Sequence, residues 1–180
     1  MLADKIDRPL AGQFSEIHFG IVTPDNLWVK FLDSQYQEWV GSFANGWNKK
    51  ATYIFNFHKS EKAIVVAGGI GYFVDISTRQ LLNEDNLIDI SFAIEDTERN
   101  RIIFSNGLDL RTFNLNNQET ILFDEYYFDD IEKLEIKEDK LFVEYHNYQS
   151  KTNPFIFEMN LVTNEKHDTF FGENKSKNIK

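Results

Sequence analysis

AIVVAGGIGYFVDIST, residues 63–78, holds the pattern that recurs along the whole chain. It opens on five apolar residues, Ala63 to Ala67, a run of the length a buried strand needs. Gly68 and Gly69 follow, and glycine is the residue that lets a chain reverse through positive φ without a steric penalty. Beyond them Tyr72 and Val74 fall on one face while Phe73 and Asp75 fall on the other, the period of two that marks a strand. The stretch therefore reads as two β-strands folded about a glycine turn. A glycine turn after a strand also suggests a dinucleotide site, but that chemistry needs a helix next, whose N-terminal amides receive the pyrophosphate. A strand follows instead, so the glycines are read as structural.

The same layout recurs along the chain. In a first segment Ile17, Phe19 and Ile21 alternate, Thr23-Pro24-Asp25-Asn26 turns, and Leu27-Trp28-Val29-Lys30-Phe31 returns. In the second, Tyr53, Phe55 and Phe57 alternate before the opening stretch. In the third, Ile88, Ile90, Phe92 and Ile94 alternate before Ile102-Ile103-Phe104. In the fourth, Leu134 and Ile136 precede a turn and then Leu141, Val143 and Tyr145. Taking Leu27, Ile64, Ile102 and Leu141 as equivalent, the steps are 37, 38 and 39 residues. A second echo, Val74-Asp75, Phe113-Asn114 and Met159-Asn160, ends a strand in Asp or Asn before a polar turn, where those side chains bond nearby backbone. The first segment lacks it over residues 37–43.

Units of this length with about four strands each have the period of a propeller blade. The layout resembles the blades of WD40-like and quinoprotein-type β-propellers, best at Asp75-Ile76-Ser77-Thr78, although the Gly-His and Trp-Asp signatures of the WD40 family are absent. The chain is also similar to small uncharacterised bacterial proteins that share a Trp-Val-Gly-Ser-Phe segment (39–43) and an Ala-Gly-Gly-x-Gly-Tyr segment (67–72). The resemblance implies an all-β protein of about four blade-like β-meander repeats of ~38 residues, a small propeller or propeller-like stack, with a β-sandwich as the alternative. Residues 14–21 are expected to form an outer strand able to complete the last blade and close the ring. Helix is expected to be sparse. One repeat domain over residues 1–174 and a mobile polar tail at 175–180 complete the expected organisation.

Composition bounds the function. With 42% apolar residues, 17 Phe and 7 Tyr, the chain has the material for a core that removes roughly 70% of its unfolded surface from water. The absence of cysteine excludes disulfides, thiolate zinc sites and a cysteine nucleophile. Charges at Asp4, Lys5, Asp7 and Arg8 interrupt the N-terminal stretch, which therefore reads as neither signal peptide nor membrane span and makes the cytoplasm the expected compartment. A formal charge of -10 repels nucleic-acid phosphates and anionic membranes and favours basic partners.

No recognisable catalytic constellation emerges. His18, His58, His146 and His167 lack ligand spacing, and no serine sits in a Gly-x-Ser-x-Gly elbow. The reading is accordingly non-enzymatic, with no catalytic, metal or cofactor residue assigned. The densest acidic stretch, Asp124, Glu125, Asp129 and Asp130, does not match a calcium loop and reads either as a solvated loop or as a partner-binding surface. Trp28 is expected in the core, whereas Trp39 and Trp47, with Tyr36, are candidate surface anchors. The expected function is an acidic protein-binding module, specifically a bacterial immunity or antitoxin-like inhibitor of a basic toxin. A carbohydrate or small-ligand binding protein is the alternative, and an enzyme with an acidic propeller pocket ranks behind both.

Overall fold

The computed structural model describes residues 2–57, 60–83, 88–114, 119–124, 130–147 and 150–171. Among them the protein is all-β, with no α-helix and therefore no helix long and apolar enough to cross a membrane. Its strands form four sheets, each with four strands in line.

The first sheet contains β1 (Ala3–Ile6), β2 (Ser15–Phe19), β3 (Leu27–Leu32) and β4 (Glu38–Phe43), in the order β1-β3-β4-β2. The second contains β5 (Tyr53–Phe57), β6 (Lys62–Ala67), β7 (Ile70–Asp75) and β8 (Gln80–Leu81) in chain order, with β9 (Ile88–Asp89) sharing the outer edge of β7. The third runs β10 (Phe92–Asp96), β11 (Arg101–Ser105), β12 (Leu110–Asn114) and β13 (Glu119–Phe123). The fourth runs β14 (Asp130–Lys137), β15 (Lys140–Asn147), β16 (Ser150–Asn160) and β17 (Lys166–Asp168), ending in a 3-10 turn at Thr169–Phe171. The strands that carry Leu27, Ile64, Ile102 and Leu141 are each the second in their sheet.

Two expectations of strand pairing are corrected. β2 does not form a hairpin with β3: it lies parallel to β4 (Ile17 opposite Gly41), and β1 pairs with β3 in its stead. The strand expected to complete the last blade therefore belongs to the first sheet. The alternation from Ile88 to Ile94 is also not one strand. It breaks at Ile90 and Ser91, leaving β9 on the second sheet and β10 to open the third. The buried Ile90 is held at the break by its N–H donating to Gly69 O at 2.7 Å.

The second echo found in the sequence marks the turn from third to fourth strand. Asp75 Oδ1 accepts from the Thr78 N–H and the Ser77 hydroxyl, and Asn160 Oδ1 from the N–H groups of Val162 and Thr163. Each turn then contains a left-handed residue, Arg79 and Asn164 respectively. The turn after Asn114 crosses residues 115–118, outside the described residues. The first sheet lacks this turn because β2 already fills its fourth position. Its Asp turn lies one connection earlier, where Asp33 Oδ1 accepts from Gln35 and Gln37 N–H ahead of left-handed Tyr36.

The chain falls into two compact units, one built on residues up to Ser91 and the other on Phe92–Phe113 with the residues from Glu119 onward. The first buries Leu27, Val29, Phe31, Trp39 and Phe43 of the first sheet against Val65, Tyr72 and Val74 of the second. Complete burial of each such side chain contributes roughly 1.5–3 kcal/mol. The second unit buries Ile103, Leu110 and Phe123 against Leu141, Val143, Tyr145 and Phe157. Inside it the Tyr145 hydroxyl donates to Asp168, which keeps that buried carboxylate satisfied.

Candidate functional site

At one end of the first unit, three connections meet: residues 20–26 leading into β3, residues 44–52 leaving β4, and the Gly68-Gly69 turn between β6 and β7. Backbone bonds fix the middle loop. Gly46 N–H donates to Ala67 O, Asn48 N–H to Gly68 O and Gly69 N–H to Ala51 O, all between 2.9 and 3.0 Å. The loop also accepts the Tyr72 hydroxyl at Ala44 O, 2.7 Å away, and burial pushes that phenol's pKa up. Gly46 and Gly68 touch so closely that a Cβ on Gly46 would stand 2.5 Å from Gly68 O. Gly68 additionally has φ +58°, so the glycine turn is required both by conformation and by contact.

The loop 20–26 is tied down by Asn26, whose amide donates to the Ser42 hydroxyl at 2.9 Å while its Oδ1 accepts the Thr23 N–H. Asn45 donates to Asp25 O from the neighbouring loop. These connections, with the end of β1, border an open cavity of about 380 Å³ lined by Lys5, Asp7, Arg8, Asp25, Trp28 and Lys49 among others. Trp28 is only 4% exposed, with the Arg8 guanidinium 5.7 Å from its ring centroid. Asp25 accepts the Thr23 hydroxyl at 2.6 Å, which holds its carboxyl below the ordinary range, with Lys49 a lesser contributor. On the same loop as Lys49, Trp47 is 87% exposed.

The second unit carries a groove of the opposite sign, of about 680 Å³, between the β10–β11 and β14–β15 turns. Glu95, Asp96, Glu98, Glu138 and Asp139 line it with a single cation, Arg99. Asp96 is 2% exposed and is held by Arg99 Nη1 at 3.2 Å and Arg101 Nε at 2.8 Å. Arg99 reaches on to Asp139 at 2.6 Å, and hydrogen bonding first to Asp139 and then to Asp96 raises its pKa further. Glu98 and Glu138 remain exposed at the turns.

The residues singled out from sequence are dispersed. Trp39 is wholly buried, stacked on Phe31 at 4.2 Å with its Nε1 donating to Ile76 O at 3.2 Å, so it offers no surface to a partner. Its register opposite Phe31 puts it on the core face, and Gly41 leaves room there for the Phe43 ring. Tyr36 and Trp47 are exposed at opposite ends of the first unit, because β4 runs its full length between their two loops. Asp124 is exposed just after β13, and Asp130 opens β14 opposite His146. Glu125 and Asp129 lie outside the described residues, as does His58. Among the described residues no three His, Asp or Glu side chains converge as metal ligands. Sequence reasoning missed Lys5, Arg8 and Lys49, which are separated in the chain and converge only in the fold.

No family model matches the chain, and no curated protein does. Among solved structures it is similar to the extracellular domain of the BT4673 protein from B. thetaiotaomicron, with a TM-score of 0.48 and 9% identity over 86% of this chain. It is also similar to the computationally designed Ika8 protein, with a TM-score of 0.45 and 14% identity over 82% of this chain. The match spans 25% of the first chain and 47% of the second.

Proposed function

We propose that this chain is a non-enzymatic acidic protein-binding module that takes a basic partner, in the manner of a bacterial immunity or antitoxin-like inhibitor. The observation that carries the reading is the second unit's groove, lined by five carboxylates of which Asp96 and Asp139 are paired with arginine and Glu98 and Glu138 stand exposed, in a chain of net charge -10. A negative concave surface attracts a positive protein over a Debye length of about 8–10 Å and steers its approach. Toxic nucleases need cationic surfaces to grip phosphate, which makes them partners of the required charge. Asp124 and Asp130 are exposed as well, at the other end of β13 and β14 from the groove. For the scaffold, we infer four blade-like repeats of propeller type, supported by four strands in line in every sheet and by second strands spaced 37, 38 and 39 residues apart. We place the protein in the bacterial cytoplasm on the same reading.

The deciding experiment is co-purification with the tagged chain from its native cells at low and high salt, repeated with the Glu98→Lys/Glu138→Lys variant. A stoichiometric basic protein should be retained at low salt and lost with salt, and the double reversal should slow its association by about tenfold or more. Retention indifferent to both salt and reversal, or no retained protein at all, ends the reading.

A further inference from the structure

We propose that the cavity at the loop end of the first unit binds a small hydroxyl-rich oxyanion, a sugar acid or a sugar phosphate, through Lys5 and Arg8 with Lys49 at its rim. The chain carries ten more negative than positive side chains, yet this cavity is lined by three cations and two carboxylates. Lys5 and Arg8 have no anionic partner among the described residues, whereas Lys30, Lys140, Arg99, Arg101 and Arg111 each pair with a carboxylate. Lys49 pairs with Asp25 at the rim, 3.6 Å away. Lys5 and Arg8 are thus left available for a ligand.

The cavity's acceptors narrow its chemistry. Asp7 and Asp25 would repel a bare anion but accept hydrogen bonds from hydroxyls, as can the Asn45 carbonyl oxygen. A ligand with an anionic group at one end and hydroxyls at the other satisfies both sets. The volume of about 380 Å³ lies within the range of small-molecule sites, and the clamped Gly46–Gly68 contact keeps the loop wall preformed. This inference does not depend on the protein partner proposed above.

Calorimetric titration of the full chain with glucuronate, glucose 6-phosphate, glucose and inorganic phosphate tests it. Saturable binding of glucuronate or glucose 6-phosphate, at least about tenfold tighter than that of glucose and of inorganic phosphate, is expected. The arm that binds more tightly identifies the anionic group as carboxylate or phosphate. Arg8→Gln and Lys5→Gln should each weaken that binding by about tenfold with the melting temperature unchanged, while Arg79→Gln, at the opposite end of the unit, should bind as the wild type does. Absence of saturable binding by either sugar anion, equal affinity for glucose, or wild-type affinity in Arg8→Gln would overturn the site. Equal affinity for inorganic phosphate would overturn its assignment to a hydroxyl-rich ligand.

Discussion

Arg99 and Arg101 of the second unit commit their charge to Asp96, a carboxylate 2% exposed, whereas Lys5 and Arg8 of the first unit line a cavity without an anionic partner among the described residues. The contrast separates two uses of ionic side chains. A buried carboxylate must be paired or it destabilises the fold, so the arginines around Asp96 are explained by structure alone. Lys5 and Arg8 are exposed beside a preformed concavity and neutralise no buried carboxylate, Arg8 resting over the Trp28 ring. The acidic groove therefore offers a partner its outer carboxylates, Glu98 and Glu138, while the cationic cavity offers Lys5 and Arg8.

Asp96 is where the two units should differ most. Asp96→Ala should destabilise the chain by about 3 kcal/mol, since two arginines lose the carboxylate they converge on. Arg8→Gln should stay within about 0.5 kcal/mol of wild type. Urea unfolding of both variants measures the difference, and similar losses would dissolve the distinction. Next in size, Gly46→Ala should cost about 2 kcal/mol by driving a methyl group against Gly68 O, with the cavity rather than the acidic groove losing its binding. Glu98→Lys should leave the melting temperature nearly unchanged and reduce only the retention of a basic partner.

The smallest effect concerns pH. The folded-state pKa of Asp25 lies below its ordinary 3.8, so its ionised form contributes stability above that value and loses it as the pH falls through the lower folded value. The stability difference between wild type and Asp25→Asn, followed by urea titration, should therefore shrink to nothing on acidification. A difference that grows on acidification would reverse the assigned sign.

The second strands were legible because each concentrates a local signal. Ile64, Val65 and Val66 are buried on both faces of their strand, and the glycine turn behind them is required by a contact as well as by φ. Pairing in the first sheet was not legible. Ile17, Phe19 and Ile21 followed by Thr23-Pro24-Asp25-Asn26 satisfy every local rule for a hairpin with β3, but β1 occupies that edge. β1 itself, Ala-Asp-Lys-Ile, has little intrinsic strand preference and is defined by its partner. Trp39 was misjudged for the same reason. Its sequence neighbours Glu38 and Gln37 are exposed, but Phe31 across the strand decides its environment. The cationic cavity joins Arg8 to Lys49 through tertiary structure, and no spacing rule along a single strand connects them.

The parallel pairing of β2 with β4 also orders events during synthesis. In the second, third and fourth sheets the strands lie in chain order, so each new strand finds its neighbour already made. In the first sheet β1 must wait for β3, and β2 must wait until the chain has been extended to Phe43. Within the first sheet β1 and β2 are therefore made before their partners, and their edges stay open to misassembly until translation reaches β3 and β4.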